Sequence, residues 1–287
     1  MSKFQPSFDL DWFDPPAQVR FDTSHIIKEE LLGFHPFKQW AETLISTLEL
    51  QRTDVKHPFH ANPYTLQSIT VQSADWFTKT RIGFVKLSAD IKNDKNETLP
   101  GVAFLRGGSV AMLMILRPSD SNTERWVIMT EQPRVPAGSL RFLEIPAGMM
   151  DFTDTFAGVA AKEIAEETGI KLKASELKNL TEMALAGVDG KDHNEKMQAA
   201  MYPSPGGSDE FIAIFLWEKI LDRQEIENLR GKLTGLRTQG EKITVRILDY
   251  ELLWRVGARD AKTLAAWSLY EALKRARHEE LIDYQSW

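Results

Sequence analysis

The sequence predicts an α+β fold: an αβα sandwich on a mixed sheet, preceded by an N-terminal antiparallel β region and a short helical extension. Three observations carry this reading. Short alternating or continuous apolar runs recur between Tyr64 and Leu248 and read as strands. Helical spacing of apolar residues stands early, in the middle and at the end of the chain. Strands and helices alternate along the chain, which favours helices packed on a sheet.

The elements follow in order. Residues 1–60 read as an N-terminal extension with little β character, broken at its start by Pro6, Pro15 and Pro16. Its one clear element is HPFKQWAETLISTLEL, where Phe37, Trp40, Leu44, Ile45 and Leu48 mark an amphipathic helix near 36–50. Residues 61–108 form the N-terminal β region, in which SITVQSADWF and RIGFVKLSADI are joined by Thr78, Lys79 and Thr80. The polar break KNDKNETLPG ends in Pro100-Gly101, a turn signal.

Residues 109–287 make the third and largest part. GVAFLRGGSVAMLMILR and RWVIMTEQPRV are strand regions, and residues 154–169 are a helix flanked by Gly148 and Gly169. A polar stretch at 186–200 reads as an inserted loop. Strand-like EFIAIFLWEKI, a charged helix near 222–233 and strand-like KITVRIL come next. The final helix opens on Asp260 as its N-cap, with Leu264, Trp267, Leu273 and Leu281 among the buried candidates.

Composition narrows the function. Lys and Arg total 35 against 41 Asp and Glu, a formal charge of −6, so general nucleic-acid binding is disfavoured. Cys is absent, which excludes disulfides, Cys-ligated zinc, iron–sulfur clusters and thiol nucleophiles. No apolar run approaches the length needed to cross a bilayer. The N-terminus carries Asp9, Asp11 and Asp14 and reads as neither a secretory signal nor a transit peptide, so the expected location is cytoplasmic.

The informative stretch is LEIPAGMMDFTDTFAGVAAKEIAEETGI, residues 143–170. Glu163, Glu166 and Glu167 stand at i, i+3 and i+4, so one helix presents all three carboxylates to one side. An acidic face in water is the plain reading of such a string. The same stripe, followed backwards, passes through Ala160, Val159 and Phe156, and so leads into the core. Carboxylates carried into a partly enclosed place must be protonated, paired with a cationic side chain or bound to a cation. Three on little more than one turn suit a hard oxygen-seeking ion, Mg²⁺ first and Mn²⁺ next.

At this point the stretch resembles the Nudix hydrolase box, G-x5-E-x7-R-E-U-x-E-E-x-G-U, where U is bulky and aliphatic. Gly148, Glu163, Ile164, Glu166, Glu167, Gly169 and Ile170 fall at the box positions, with Asp154 in place of the first Glu and Lys162 in place of Arg. Both departures keep their charge sign, although Lys lacks the planar fork of Arg. EIPAG at 144–148 and MYPSPGGSDE at 201–210 resemble the ADP-sugar diphosphatase branch, which acts on ADP-ribose and ADP-glucose. The resemblance runs from about Tyr64 to Leu273.

It implies the following roles. Glu163, Glu166, Glu167 and the Ala147 carbonyl are metal ligands. Glu241, in TQGEKITV, is the candidate base, with Gln239 standing where bacterial relatives carry a second Glu. Glu163 counts with it as catalytic. Arg134 contacts phosphate and Glu144 contacts substrate. Trp76 or Phe77, with Arg81, recognises adenine, while Pro205 and Gly206 belong to a stiff loop set against the sugar. The expected reaction is Mg²⁺-dependent hydrolysis of the diphosphate of an ADP-sugar, ADP-ribose or ADP-glucose, to AMP and a sugar phosphate by a homodimer. The competing readings are an enzyme for UDP-glucose or GDP-mannose, and a non-catalytic sensor of ADP-ribose.

Overall fold

The computed structural model describes residues 7–150, 155–186, 195–235 and 242–278. The chain divides into two compact units. The first contains, of the described residues, 7–108, 195–198 and 204–211; the second contains the rest.

In the first unit a six-stranded sheet runs in the order β1 (Ser7–Leu10), β2 (Ala17–Phe21), β3 (Thr65–Trp76), β4 (Ile82–Lys92) and β5 (Thr98–Leu99), and β6 (Val102–Leu105) also pairs with β4. Two helices, α1 (Lys28–Gly33) and α2 (His35–Thr53), lie between β2 and β3 in the chain. The expectation of little β structure before residue 60 is corrected by β1 and β2, which pair antiparallel, with β2 then parallel to β3. AQVRF alternates as a half-buried strand should: Ala17, Val19 and Phe21 are buried and Arg20 is exposed. Pro15 and Pro16 lie between these two strands, where their missing N–H groups cost no ladder bond. The expected helix over 36–50 is α2. Its buried Gln51 clips it to the residue just before β3: the side-chain amide donates to the Tyr64 carbonyl at 2.7 Å and accepts from the Tyr64 N–H at 2.8 Å.

The Pro-rich loop is held to β6 in the same unit. Phe104 N–H donates to the Gly207 carbonyl at 2.9 Å, and the Ser208 hydroxyl donates to the Phe104 carbonyl at 3.1 Å. The Asp209 carboxylate accepts from the N–H of Arg106 at 2.7 Å and of Gly107 at 3.0 Å. Burial pushes the Asp209 carboxyl up from its ordinary range against those bonds.

The second unit is an α+β sandwich. Its eight-stranded mixed sheet uses β7 (Ser109–Pro118), β8 (Trp126–Arg134), β9 (Ser139–Glu144), β10 (Ala147–Met149), β11 (Lys178–Asn179), β12 (Ile212–Leu221), β13 (Leu233–Thr234) and β14 (Ile243–Asp249). The helices are α3 (Phe156–Thr168), α4 (Leu180–Leu185), α5 (Arg223–Leu229), α6 (Leu253–Val256) and α7 (Ala261–His278). Along β7 nearly every side chain is buried, because both faces of the sheet are covered. Ala111, Leu113 and Ile115 join Ala266, Tyr270 and Leu273 of α7 in one core, while α3 and α5 also pack on β7.

One irregularity in this sheet positions the site. β7 pairs with β12 in parallel along its length, but with β8 only through Met114–Leu116. Beyond that point the two strands fork. β10 pairs with Ser109–Ala111 of β7, and β9 pairs with Thr130–Arg134 of β8. The segment Glu144-Ile145-Pro146-Ala147 spans the fork, and the Pro146 carbonyl accepts from Met112 N–H at 2.9 Å.

Candidate active site

The acidic helix α3 is cut at both ends by local chemistry. The Thr155 hydroxyl caps its first turn by accepting from Gly158 N–H at 3.1 Å. Gly169 ends it in the left-handed conformation at φ 74°, with its N–H bonded to the Ala165 carbonyl. Val159, Ala160 and Ile164 are buried, and the stripe continues into Glu167, which is only 5% exposed. Glu163 and Glu166 are partly buried. Strand β13 covers the C-terminal end of the helix: Gly235 N–H donates to the Glu166 carbonyl at 3.1 Å, and the Thr234 hydroxyl donates to the Glu167 carbonyl.

Glu167 reaches across to the fork. Its carboxylate accepts from the Gln132 amide at 3.2 Å and from the Ala147 N–H at 3.1 Å. Burial, and then the neighbouring charge of Glu163, push its carboxyl up to about 8 despite those two bonds. Gly148 is the other half of this contact. A Cβ built there would run into the Glu163 carboxylate, so only glycine lets that side chain lie against the strand.

These residues fit a hard divalent cation by their chemistry. The donors are all oxygen, and the charge of Glu163 weighs against that of Glu167 in a partly buried place. Among the described residues no three His, Asp or Glu side chains converge as a finished metal cage. Glu167 spends both oxygens on protein donors, so a bound ion would have to draw it away from Gln132 or Ala147.

Glu144 lies at the other end of the EIPAG segment and is 2% exposed. Sequence reasoning expected it to touch substrate; the structure gives both its oxygens to cationic side chains. Arg134 binds Oε1 through Nε at 2.7 Å and Nη2 at 2.7 Å, and Lys262 binds Oε2. Lys262 also donates to Asp260 at 3.0 Å. Asp260 caps α7 as expected, accepting from Thr263 N–H at 3.2 Å. The Thr263 hydroxyl in turn donates to Asp260 at 2.5 Å and accepts from Ile145 N–H at 3.1 Å. Gln132, Lys262 and Thr263 carry no role in the sequence reading, although the resemblance spans all three.

The remaining expected residues fall elsewhere. Glu241 and Gln239, together with Asp154, lie outside the described residues. Trp76, Phe77, Arg81, Pro205 and Gly206 belong to the first unit. The Trp76 indole N–H is spent on the His25 carbonyl at 2.9 Å. Phe77 is 46% exposed, lies against Gly83, meets Phe84 edge-on at 5.0 Å and carries the Arg81 guanidinium at 5.8 Å. No helix among the described residues is long and apolar enough to cross a membrane.

No protein-family model matches the chain. It is 41% identical over 213 residues to "Nudix hydrolase 14, chloroplastic" of Arabidopsis thaliana, covering 74% of this chain and 64% of that protein. The chain thus spans less than two thirds of the length of that relative. A solved structure described as "Crystal structure of ADP compounds hydrolase" aligns at 13% identity with a TM-score of 0.43, covering 74% of this chain and 97% of that one.

Proposed function

We infer that the chain belongs to the Nudix hydrolase family, and from that premise we propose that it hydrolyses the diphosphate of ADP-sugars such as ADP-ribose and ADP-glucose. The observation that carries this reading is the set Glu163, Glu166 and Glu167 on one turn of α3, with Glu163 laid on Gly148 and Glu167 charged only at a cost. The 41% identity to a Nudix hydrolase supports it.

Bound Mg²⁺ or Mn²⁺ would supply neutralisation of the diphosphate and a more acidic water. The chain's own residues do the rest. Glu163, Glu166, Glu167 and the Ala147 carbonyl hold the ion. Arg134, 41% exposed at its side chain, binds a phosphoryl oxygen while Glu144 orients it. Glu241 takes the proton of the attacking water; the new P–O bond forms in line as the bridging P–O bond breaks. AMP leaves with ribose 5-phosphate or glucose 1-phosphate. Phe77 and Arg81 recognise the base, with Trp76 beside them, and Pro205 and Gly206 meet the sugar. The working form is a homodimer.

The test is a panel of ADP-ribose, ADP-glucose, UDP-glucose and GDP-mannose, with Mg²⁺, with Mn²⁺ and with EDTA, read by product chromatography. AMP should appear from the ADP-sugars with kcat/KM at least about tenfold above the other two, and EDTA should abolish it. Preference for UDP-glucose or GDP-mannose would overturn the ADP assignment. Tight binding of ADP-ribose without turnover would make the chain a sensor.

A further inference from the structure

Nothing in the sequence gives Lys262 a role, yet it completes the charge balance of a buried carboxylate beside the candidate site. Glu144 has two oxygens, and the structure divides them. Oε1 takes Nε and Nη2 of Arg134, while Oε2 takes the Lys262 ammonium from the first turn of α7. Arg134 Nη1 has no hydrogen-bond partner among the described residues. The Lys262 side chain is 12% exposed, so its charge is committed to Glu144 and Asp260 and is not displayed to solvent.

The surrounding segment is built to hold it there. Asp260 is fixed as the N-cap by Thr263, and Thr263 is tied to the backbone of Ile145, the residue after Glu144. Gly257 leaves room for this arrangement: a Cβ there would collide with the Thr263 methyl and crowd the Leu253 carbonyl. The start of α7 therefore grips both the side chain of Glu144 and the backbone beside it.

We propose that Lys262 is a positioning residue: by occupying Oε2 of Glu144 it confines Arg134 to Oε1 and keeps the third guanidinium nitrogen turned outward for a phosphoryl oxygen. This rests on the reading of Arg134 as a phosphate contact. Without Lys262 a buried acceptor is left unpaired, and the guanidinium fork fits both oxygens of one carboxylate. Arg134 would swing inward to bridge them and leave the phosphate. The residue acts through Arg134, so its effect belongs to binding and not to the rate of the chemical step.

The experiment is a double-mutant cycle over wild type, Lys262→Met, Arg134→Ala and the pair. Two readouts are taken: KM and kcat on whichever sugar nucleotide of the panel the wild type hydrolyses best, and Kd for inorganic pyrophosphate in the presence of Mg²⁺. Lys262→Met should raise KM and Kd about tenfold with kcat within about twofold. In the Arg134→Ala background it should change neither, and Lys262→Arg should restore both. Unchanged KM and Kd in folded Lys262→Met, or effects that multiply with those of Arg134→Ala, would overturn the proposal. Should Lys262→Met fail to fold, Lys262→Leu, which likewise leaves Oε2 without a donor, is read by the same criteria. Failure of the wild type to hydrolyse any sugar nucleotide would overturn the functional reading, while the pyrophosphate arm would still decide the role of Lys262.

Discussion

Glu144 and Glu167 are buried almost equally, at 2% and 5% exposure, and flank the same short segment, yet the fold treats them in opposite ways. Glu144 is met by two cations, Arg134 and a Lys262 that it shares with Asp260. Among the described residues Glu167 receives neutral donors, the Gln132 amide and the Ala147 N–H, and meets the like charge of Glu163. A buried carboxylate without a cation is costly unless it takes up a proton or an ion. The protein thus settles one of these charges internally and leaves the other open, which is what a site awaiting an external cation requires.

Removing each charge should therefore have opposite consequences, and this is the largest expected effect. Glu167→Gln removes a carboxyl that ionises only at a cost and keeps its size, with the Gln132 amide turning to accept from the new NH2 group. The metal-free protein should melt no lower than wild type, while kcat/KM on the best sugar nucleotide falls on the order of a thousandfold. Glu144→Gln leaves Arg134 and Lys262 without their shared anion, so thermal melting should show a loss of about 3 kcal/mol. Equal destabilisation by the two variants would break the comparison.

The open half of this pair was legible in the sequence and the closed half was not. The phase of Val159, Ala160, Glu163 and Glu167 along one helix predicts a stripe running from core to carboxylate, and α3 has that stripe. Helical spacing encodes neighbours three and four residues apart. Lys262 and Glu144 are separated by 118 positions, and nothing local distinguishes this lysine from one in solvent. Asp260 was legible as a cap because capping is local; its bond to Lys262 became visible only in the fold. At the other end of the chain, Pro15 and Pro16 drew attention away from the alternation of Ala17, Val19 and Phe21. The pairing of β2 with β3 spans about fifty residues and leaves no mark in either segment alone.

Gly148→Ala sharpens the comparison without altering any charge. The added methyl occupies the place of the Glu163 carboxylate and must displace it from β10. The Mg²⁺ concentration giving half-maximal activity should rise by about tenfold to a hundredfold, as for changes in groups that orient a metal ligand. Overpacking at the strand should lower stability by about 1–3 kcal/mol. Binding of inorganic pyrophosphate through Arg134 should weaken far less at saturating Mg²⁺, because Glu144 and its two cations stand on the far side of Pro146. A proportionate loss in both readouts would mean that the two carboxylates belong to one mechanical unit.

The last expected effect is a pH dependence from Glu167, whose carboxyl shares its upward direction with Asp209. The Glu167 carboxyl is raised from 4.5 to about 8 in the folded, metal-free protein, first by burial and then by Glu163. Between those two values the folded state holds a proton that the unfolded chain has released, so unfolding sheds a proton. Stability must then fall as pH rises from about 4.5 towards 8, and level off above it. A divalent cation binds the ionised form, so added Mg²⁺ should raise the melting temperature more at pH 8.5 than at pH 6. Glu167→Gln should flatten the metal-free slope, whereas Lys262→Met, on the compensated side, should leave it standing. Thermal melts across this range, with and without Mg²⁺, check all three, and a slope that survives Glu167→Gln would assign the proton to another group.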